Sequence, residues 1–238
     1  MKKVGFIGFG NMAEAIITGM IASGNFNCGD IGAFDTDENK LSSGAARLGI
    51  TAFKDNTELV SQCECVVVAV KPIALQNVLV PLRKVFCKAN PLVISIAAGK
   101  SIEYLGNLLG YDARLIRVMP NINAIAGQAV SGYSHSENIF DDDVLMCEKI
   151  LESFGTAISV EEDKFSVYSA IAGCSPAYVY LFTDTIARVG VKYGLSKKDA
   201  LNIVCDAVSN YKSGMTNKDI SDVIYNAIES AYKKDKGM

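Results

Sequence analysis

Near the N-terminus, Gly8-Phe9-Gly10-Asn11-Met12-Ala13 spaces two glycines and a small residue as G-x-G-x-x-A. The run lies between a β-branched stretch and a helical pattern, so Gly8 permits a tight turn and Gly10 lets backbone N–H groups approach a pyrophosphate. The small Ala13 lets the helix pack closely. The pattern alone is common, but inside a strand-turn-helix-strand unit, with Asp35 closing the second strand, it points to a dinucleotide. A carboxylate at Asp35 accepts hydrogen bonds from the adenine ribose and repels a 2′-phosphate. No Arg or Lys follows before Lys40, so NADH is expected over NADPH. Ala69-Val70-Lys71-Pro72 puts a cation at the end of the fourth strand, where open α/β sheets bind ligands. Ile96-Ala97-Ala98-Gly99 ends the fifth strand on small residues that leave room for a flat ring.

Other chemistries have few residues to run on. The only histidine, His135, sits in the polar stretch Ser131 to Asn138, which reads as loop, so Ser-His-Asp or Cys-His catalysis is not expected. The seven cysteines (Cys28, Cys63, Cys65, Cys87, Cys147, Cys174, Cys205) include no C-x-x-C pair and are odd in number. Free thiols, a cytoplasmic setting and no metal site are expected. Lys and Arg total 23 against 26 Asp and Glu, a net charge of −3 without a basic run, which argues against a nucleic-acid partner. The longest apolar run, Val66 to Val70, stops at Lys71 and Pro72, far short of the roughly 20 residues a bilayer needs, so no membrane partner is expected. Lys2 and Lys3 precede an apolar stretch, but Gly5, Gly8, Gly10 and Glu14 interrupt it and no cleavage-like end follows, so it does not read as a secretory signal.

The elements that would position these groups alternate. Val4 to Gly8, Asp30 to Phe34, Ile50 to Phe53, Cys65 to Val70, Leu92 to Ala97 and Leu115 to Met119 read as strands, with helical spacing between them, as in Ala13, Ile16, Ile17 and Met20. That rhythm predicts an α/β fold with a Rossmann-type doubly wound parallel sheet over residues 1–160. A helix from Asp141 to Phe154, opening on three aspartates, leads into a short strand from Thr156 to Val160. From 161 to 238 every segment reads as helix, giving a smaller all-α domain. Ser175 and Pro176 suit a helix start running to about Tyr193, Gly194 suits its stop, and Ser196 with Asp199 suits the next start. A last helix carries Ile220, Val223, Ile224, Ala227 and Ile228. Apolar stripes this wide pack on each other, on the sheet or on a second subunit.

Gly5-Phe6-Ile7-Gly8-Phe9-Gly10-Asn11-Met12-Ala13, Ala69 to Pro72, Ser95 to Gly99, Arg117-Val118-Met119-Pro120-Asn121 and Gly173-Cys174-Ser175-Pro176-Ala177-Tyr178 occur in this order. In this the chain resembles the pyrroline-5-carboxylate reductases, over residues 1 to about 208 and again in the last helix. The resemblance implies hydride transfer from NAD(P)H to a small cyclic imine, pyrroline-5-carboxylate, giving L-proline at the end of proline biosynthesis. It also implies a helical domain that makes a homodimer or larger ring. By position, Ile7, Gly8, Phe9, Gly10, Asn11 and Met12 would hold the pyrophosphate and Asn56 the adenosine half. Ala69, Val70, Lys71, Pro72, Ile96, Ala97 and Ala98 would line ribose and nicotinamide. Glu162, with Cys174 and Ser175, would face the substrate, and Lys71 and Glu162 are the catalytic candidates.

Two departures qualify the match. The family pattern S-G-[SG]-[SG]-P-A-Y reads Ala172-Gly173-Cys174-Ser175-Pro176-Ala177-Tyr178 here. The family's S-P-G-G-T-T loop, which resembles a cradle for the substrate carboxylate, is absent. The chain passes from Asp206 to Lys212 through Gly214, Met215 and Thr216 almost directly to Asp222, as if a block had been removed. This leaves open a catalytically impaired NAD(H)-binding relative. The β-hydroxyacid dehydrogenases share the layout but use a lysine on the first helix of the second domain, and Ser175 to Thr185 contains none.

Overall fold

The computed structural model describes residues 2–209. Two compact units are present, Met1–Pro176 and Ala177–Met238. In the first, the strands are β1 (Lys2–Ile7), β2 (Ile31–Phe34), β3 (Thr51–Ala52), β4 (Cys63–Val68), β5 (Leu92–Ser95), β6 (Leu115–Met119), β7 (Ala129–His135) and β8 (Gly155–Ser159). They form one sheet in the order β3-β2-β1-β4-β5-β6-β7-β8. The first six follow the doubly wound order, with the chain reversing direction across the sheet between β1 and β4, where such folds bind dinucleotides.

Both faces are covered. Helices α1 (Asn11–Ala22) and α6 (Asp141–Glu152) supply Ile16, Ile17, Met20, Ile150 and Leu151 to one core, which takes Cys65 and Val67 from β4. Helices α3 (Asn56–Gln62), α4 (Leu75–Ala89) and α5 (Ile102–Leu109) supply Leu59, Leu79, Phe86 and Leu105 to the other, which takes Val66 and Val68. Adjacent residues of β4 therefore point into different cores, which is why its sequence shows no alternation. Helix α2 (Glu38–Leu48) packs Gly44 on Phe9, where an added Cβ would lie 2.2 Å from the ring.

Two expectations are corrected. Residues 131–135 of the stretch read as loop belong to β7, a strand antiparallel to β6 and parallel to β8, and only 136–138 lie outside it. Its small polar residues hide the usual pattern because they are buried between two neighbours: Ser131 is fully buried, and a Cβ at Gly132 would meet the Tyr168 ring at 2.4 Å. The sheet is thus mostly rather than wholly parallel. Between β6 and β7 the chain makes a single short turn of 3-10 helix, Ile122–Ala126, too brief for the dozen residues a parallel crossover needs.

The second correction concerns Ser175 and Pro176. A 3-10 turn (Glu162–Lys164), α7 (Phe165–Tyr168), a π-turn (Ser169–Gly173) and α8 (Cys174–Lys192) follow without a break. Ser175 therefore caps nothing; its hydroxyl donates backwards to the Ile171 carbonyl. This run, Glu162–Lys192, is also long and apolar enough, by length and composition, to cross a membrane, which the count of short apolar runs did not foresee. Helix α9 (Lys197–Ser209) starts as expected: the Asp199 N–H donates to Ser196 Oγ at 3.1 Å and that hydroxyl donates to Asp199 Oδ2 at 2.6 Å. In the second unit Ala187, Ala200 and Val204 form a small core, while Tyr178, Leu181, Phe182 and Val189 of α8 are exposed. The final helix and the stretch where the S-P-G-G-T-T loop is missing lie outside the described residues.

Candidate active site

Strand β1 ends at the glycine turn because Gly8 adopts φ +97° and lies so close to the next strand's end that a Cβ there would sit 2.8 Å from the Ala69 carbonyl oxygen. Only glycine meets both demands. Gly10 differs: nothing lies within 4 Å of where its Cβ would be, so it opens onto space. It is also the N-cap of α1, and no side chain caps that end. The first-turn N–H groups are left for an anion, with the positive end of the helix dipole behind them.

That space is a cleft of about 540 Å³. The first turn of α1 (Gly10, Asn11, Met12, Ala13), the turn after β4 (Ala69, Val70, Lys71, Pro72) and the turn after β5 (Ile96, Ala97, Ala98) line it. Three strand ends separated in sequence thus supply one wall each. Lys40, Met119 and Pro120 complete it, and none of these three was assigned a role from sequence. The Met-Pro-Asn run at the end of β6 was the available signal for two of them. Lys71 is exposed at the rim. Lys40 places Nζ 3.3 Å from Asn11 Oδ1.

Ile7, Gly8 and Phe9 are buried beneath the cleft rather than lining it. Asp35 braces the glycine turn: its Oδ2 accepts the Phe9 N–H at 2.6 Å and its Oδ1 the Asp37 N–H at 2.9 Å. Each oxygen keeps a second lone pair for a ribose hydroxyl. Asn56 is the first residue of α3 and does not line the cleft, but its Oδ1 is buried without a partner. An orphaned acceptor of this kind, the open space at Gly10 and the uncapped helix suit the residues present to a dinucleotide.

Lys71 lines the cleft and Glu162 is not among its lining residues. Glu162 Oε1 accepts from Arg117 Nη1 at 2.8 Å and from the Ile102 N–H at 3.1 Å, while Oε2 is buried without a partner. Arg117, in the middle of β6 and almost fully buried, also lies over the Phe165 ring at 4.0 Å. Sequence reasoning missed this arginine, since the partners are 45 residues apart. Cys174 and Ser175 follow Gly173, where a Cβ would be 3.1 Å from Met119 Cε, so they adjoin the Met119 end of the cleft without lining it. All seven cysteines are free. Burial pushes the Cys63 thiol up to about 12 and raises Cys65 and Cys147 as well, so these three are inert packing groups.

Comparison with known proteins bears on this arrangement. Residues 3–99 match the family model described as NADP oxidoreductase coenzyme F420-dependent, and residues 162–216 the model described as pyrroline-5-carboxylate reductase dimerisation. The pyrroline-5-carboxylate reductase of Methanosarcina acetivorans is 34% identical over 207 residues, 87% of this chain and 76% of that one. The solved reductase of Coxiella burnetii superposes with a TM-score of 0.84 at 26% identity, covering 99% of this chain and 90% of that one. The reductase of Streptococcus pyogenes gives a TM-score of 0.84 at 30% identity, with 94% and 84% covered. A relative 34% identical, of which the chain covers 76%, shows that the chain belongs to the pyrroline-5-carboxylate reductase family of NAD(P)H-dependent oxidoreductases.

Proposed function

We propose that this protein reduces pyrroline-5-carboxylate to L-proline, with residues 1–160 holding the dinucleotide and residues 161–238 supplying substrate and dimer contacts. The observation that carries the reading is the cleft at the uncapped start of α1, walled by the ends of β4, β5 and β6. A bound NAD(P)H supplies the hydride. The chain's own work is positioning. The α1 N–H groups take the pyrophosphate, and Asn56 Oδ1 takes a donor from the adenosine half. The small side chains of Ala97 and Ala98 leave room beside the reacting ring. Among the described residues no carboxylate or histidine lines the cleft, so an imine protonated by solvent, or through a hydroxyl and water relay, suits this site better than a residue acting as general acid.

Lys71 orients cofactor or substrate as a rim cation. Glu162, held by Arg117, offers only Oε2 to a ligand. Asp35 favours NADH, whereas Lys40 in the cleft wall gives NADPH a cation to meet. The exposed apolar residues of α8 are covered by a second copy of the chain, in keeping with the dimerisation match and with the charges Asp184, Arg188 and Lys192 on the same helix. The free thiols suit a reducing, cytoplasmic setting.

The test is the loss of reduced-nicotinamide absorbance with pyrroline-5-carboxylate, run with NADH and with NADPH beside Lys71→Met. Turnover, faster with NADH and weakened in Lys71→Met through KM or cofactor Kd, supports the reading. Dinucleotide binding without turnover supports a second reading, a cofactor-binding relative without catalysis, which the missing S-P-G-G-T-T run favours.

A further inference from the structure

Pro176 is the third residue of α8, yet helical turns precede it without interruption. It is therefore an interior proline, with no N–H to give the carbonyl four residues back. That carbonyl belongs to Ala172, and it accepts a hydrogen bond from the side chain of Asn121, Nδ2 to O, at 3.1 Å. The other end of the same amide is also engaged: Asn121 Oδ1 accepts the Asn123 N–H at 3.3 Å and the Val130 N–H at 3.4 Å. Asn121 is buried, at 6% exposure, and its three hydrogen bonds are partly buried.

An amide is the side chain that can do this, because it presents a donor to a carbonyl and an acceptor to N–H groups at once. A carboxylate would set oxygen against oxygen at Ala172, and an aliphatic residue would leave the carbonyl and two N–H groups without this partner. Asn121 directly follows Met119 and Pro120, which wall the cleft, and Ala172 lies in the π-turn Ser169–Gly173. π-Turns are costly local windings that persist where something holds them. Tyr168 adds a second tie across the same junction, its hydroxyl donating to the Val130 carbonyl at 3.1 Å.

We propose that Asn121 is a positioning residue: by satisfying the carbonyl that Pro176 deprives of its donor, it holds the π-turn against the cleft wall and so places Cys174 and Ser175 for the substrate. The substrate part rests on the reductase reading above; the clasp itself does not. The hydrogen bonds of Asn121 run to Ala172, Asn123 and Val130 and not to the glycine turn or Lys71, so its loss is expected to act on the substrate half of the site and to spare the dinucleotide half.

The experiment compares the full-length protein with Asn121→Asp, Asn121→Ala, Pro176→Ala and the double variant Asn121→Ala with Pro176→Ala. Hydrogen exchange of the amides of residues 169–175, dinucleotide Kd and the steady-state constants for pyrroline-5-carboxylate are measured on each. Loss of one buried hydrogen bond corresponds to roughly tenfold. Asn121→Asp is expected to speed exchange in that turn about tenfold and to raise KM by a similar factor, leaving dinucleotide Kd within about twofold. Pro176→Ala restores an N–H beneath Ala172, so the exchange penalty of Asn121→Ala should shrink severalfold in that background. Equal penalties in both backgrounds would overturn the clasp, as would wild-type exchange in Asn121→Asp. Equal losses of substrate and dinucleotide affinity would overturn the positioning role in favour of a general structural one. If the wild type turns over no imine, the reductase reading falls, while exchange and the double-variant comparison still decide the clasp.

Discussion

Glu162→Gln is the most informative single change, because the partner it strands is nearly out of water. The Arg117 side chain is 9% exposed and that of Glu162 35%, with 2.8 Å between the charged atoms. At that distance and an effective dielectric constant of about 20, the gross attraction is about 6 kcal/mol. Desolvation takes back much of this. Breaking a fully buried pair costs about 3–5 kcal/mol, chiefly because the remaining charge is left uncompensated. Glutamine keeps the shape and still accepts the Ile102 N–H, and one third of the acid faces solvent, so the expected loss is about 2–3 kcal/mol. For a chain of this size that lowers Tm by about 4–12 °C. The chain has 10 tyrosines and no tryptophan, so urea unfolding is best followed by tyrosine emission and far-ultraviolet dichroism, at several protein concentrations because association shifts the midpoint. Arg117→Met and the double variant complete a cycle, and the double variant should lose less than the two single losses added together. A Glu162→Gln cost below about 0.5 kcal/mol, typical of ordinary surface positions, would refute the assignment. Lost turnover at unchanged stability would move Glu162 to the substrate instead.

The two glycines of the turn should respond differently. Gly8→Ala combines φ +97° with a 2.8 Å approach to Ala69, so it should cost about 1–3 kcal/mol or more in stability as well as dinucleotide affinity. Gly10→Ala meets no atom within 4 Å among the described residues beyond its chain neighbours and should weaken dinucleotide binding at unchanged stability; equal stability losses in a denaturant titration would contradict this. Ser131 is fully buried with its hydroxyl unpartnered, so Ser131→Ala should stabilise by about 1 kcal/mol; a lower urea midpoint would reveal a partner for that hydroxyl. Burial first, then the Glu148 carboxylate that accepts its hydrogen bond at 2.5 Å, push the Tyr133 phenol up to about 12. The phenol's folded value is raised above 10, so its stabilisation is complete below pH 10 and is lost as pH rises towards about 12. In Tyr133→Phe the fall in stability across that window should be shallower than in the wild type; an identical slope would refute the assignment.

The glycine turn and the strand ends that wall the cleft were legible from the chain alone because their signals are local. A glycine whose φ must be positive, an uncapped helix start and small residues closing strands each write themselves into a few adjacent residues. β4 could be read as a doubly covered strand from its unalternating valines for the same reason. The polar β7 could not be, since what makes it a strand is the pair of neighbours that satisfy its backbone, not its own periodicity. Ser175 and Pro176 look like a helix start locally. Only the continuous turns from Glu162 onward, and an amide arriving from Asn121, show that the proline is interior. Arg117 and Glu162 carry no mark of each other, because their pairing depends on the fold bringing the middle of β6 to the first helical turn after β8. Composition and short motifs therefore determined the sheet class, the glycine-turn cleft and the family. Tertiary structure alone decided which charges are paired, which polar groups are left over and where the π-turn is tied down, since those depend on burial and on neighbours distant in sequence.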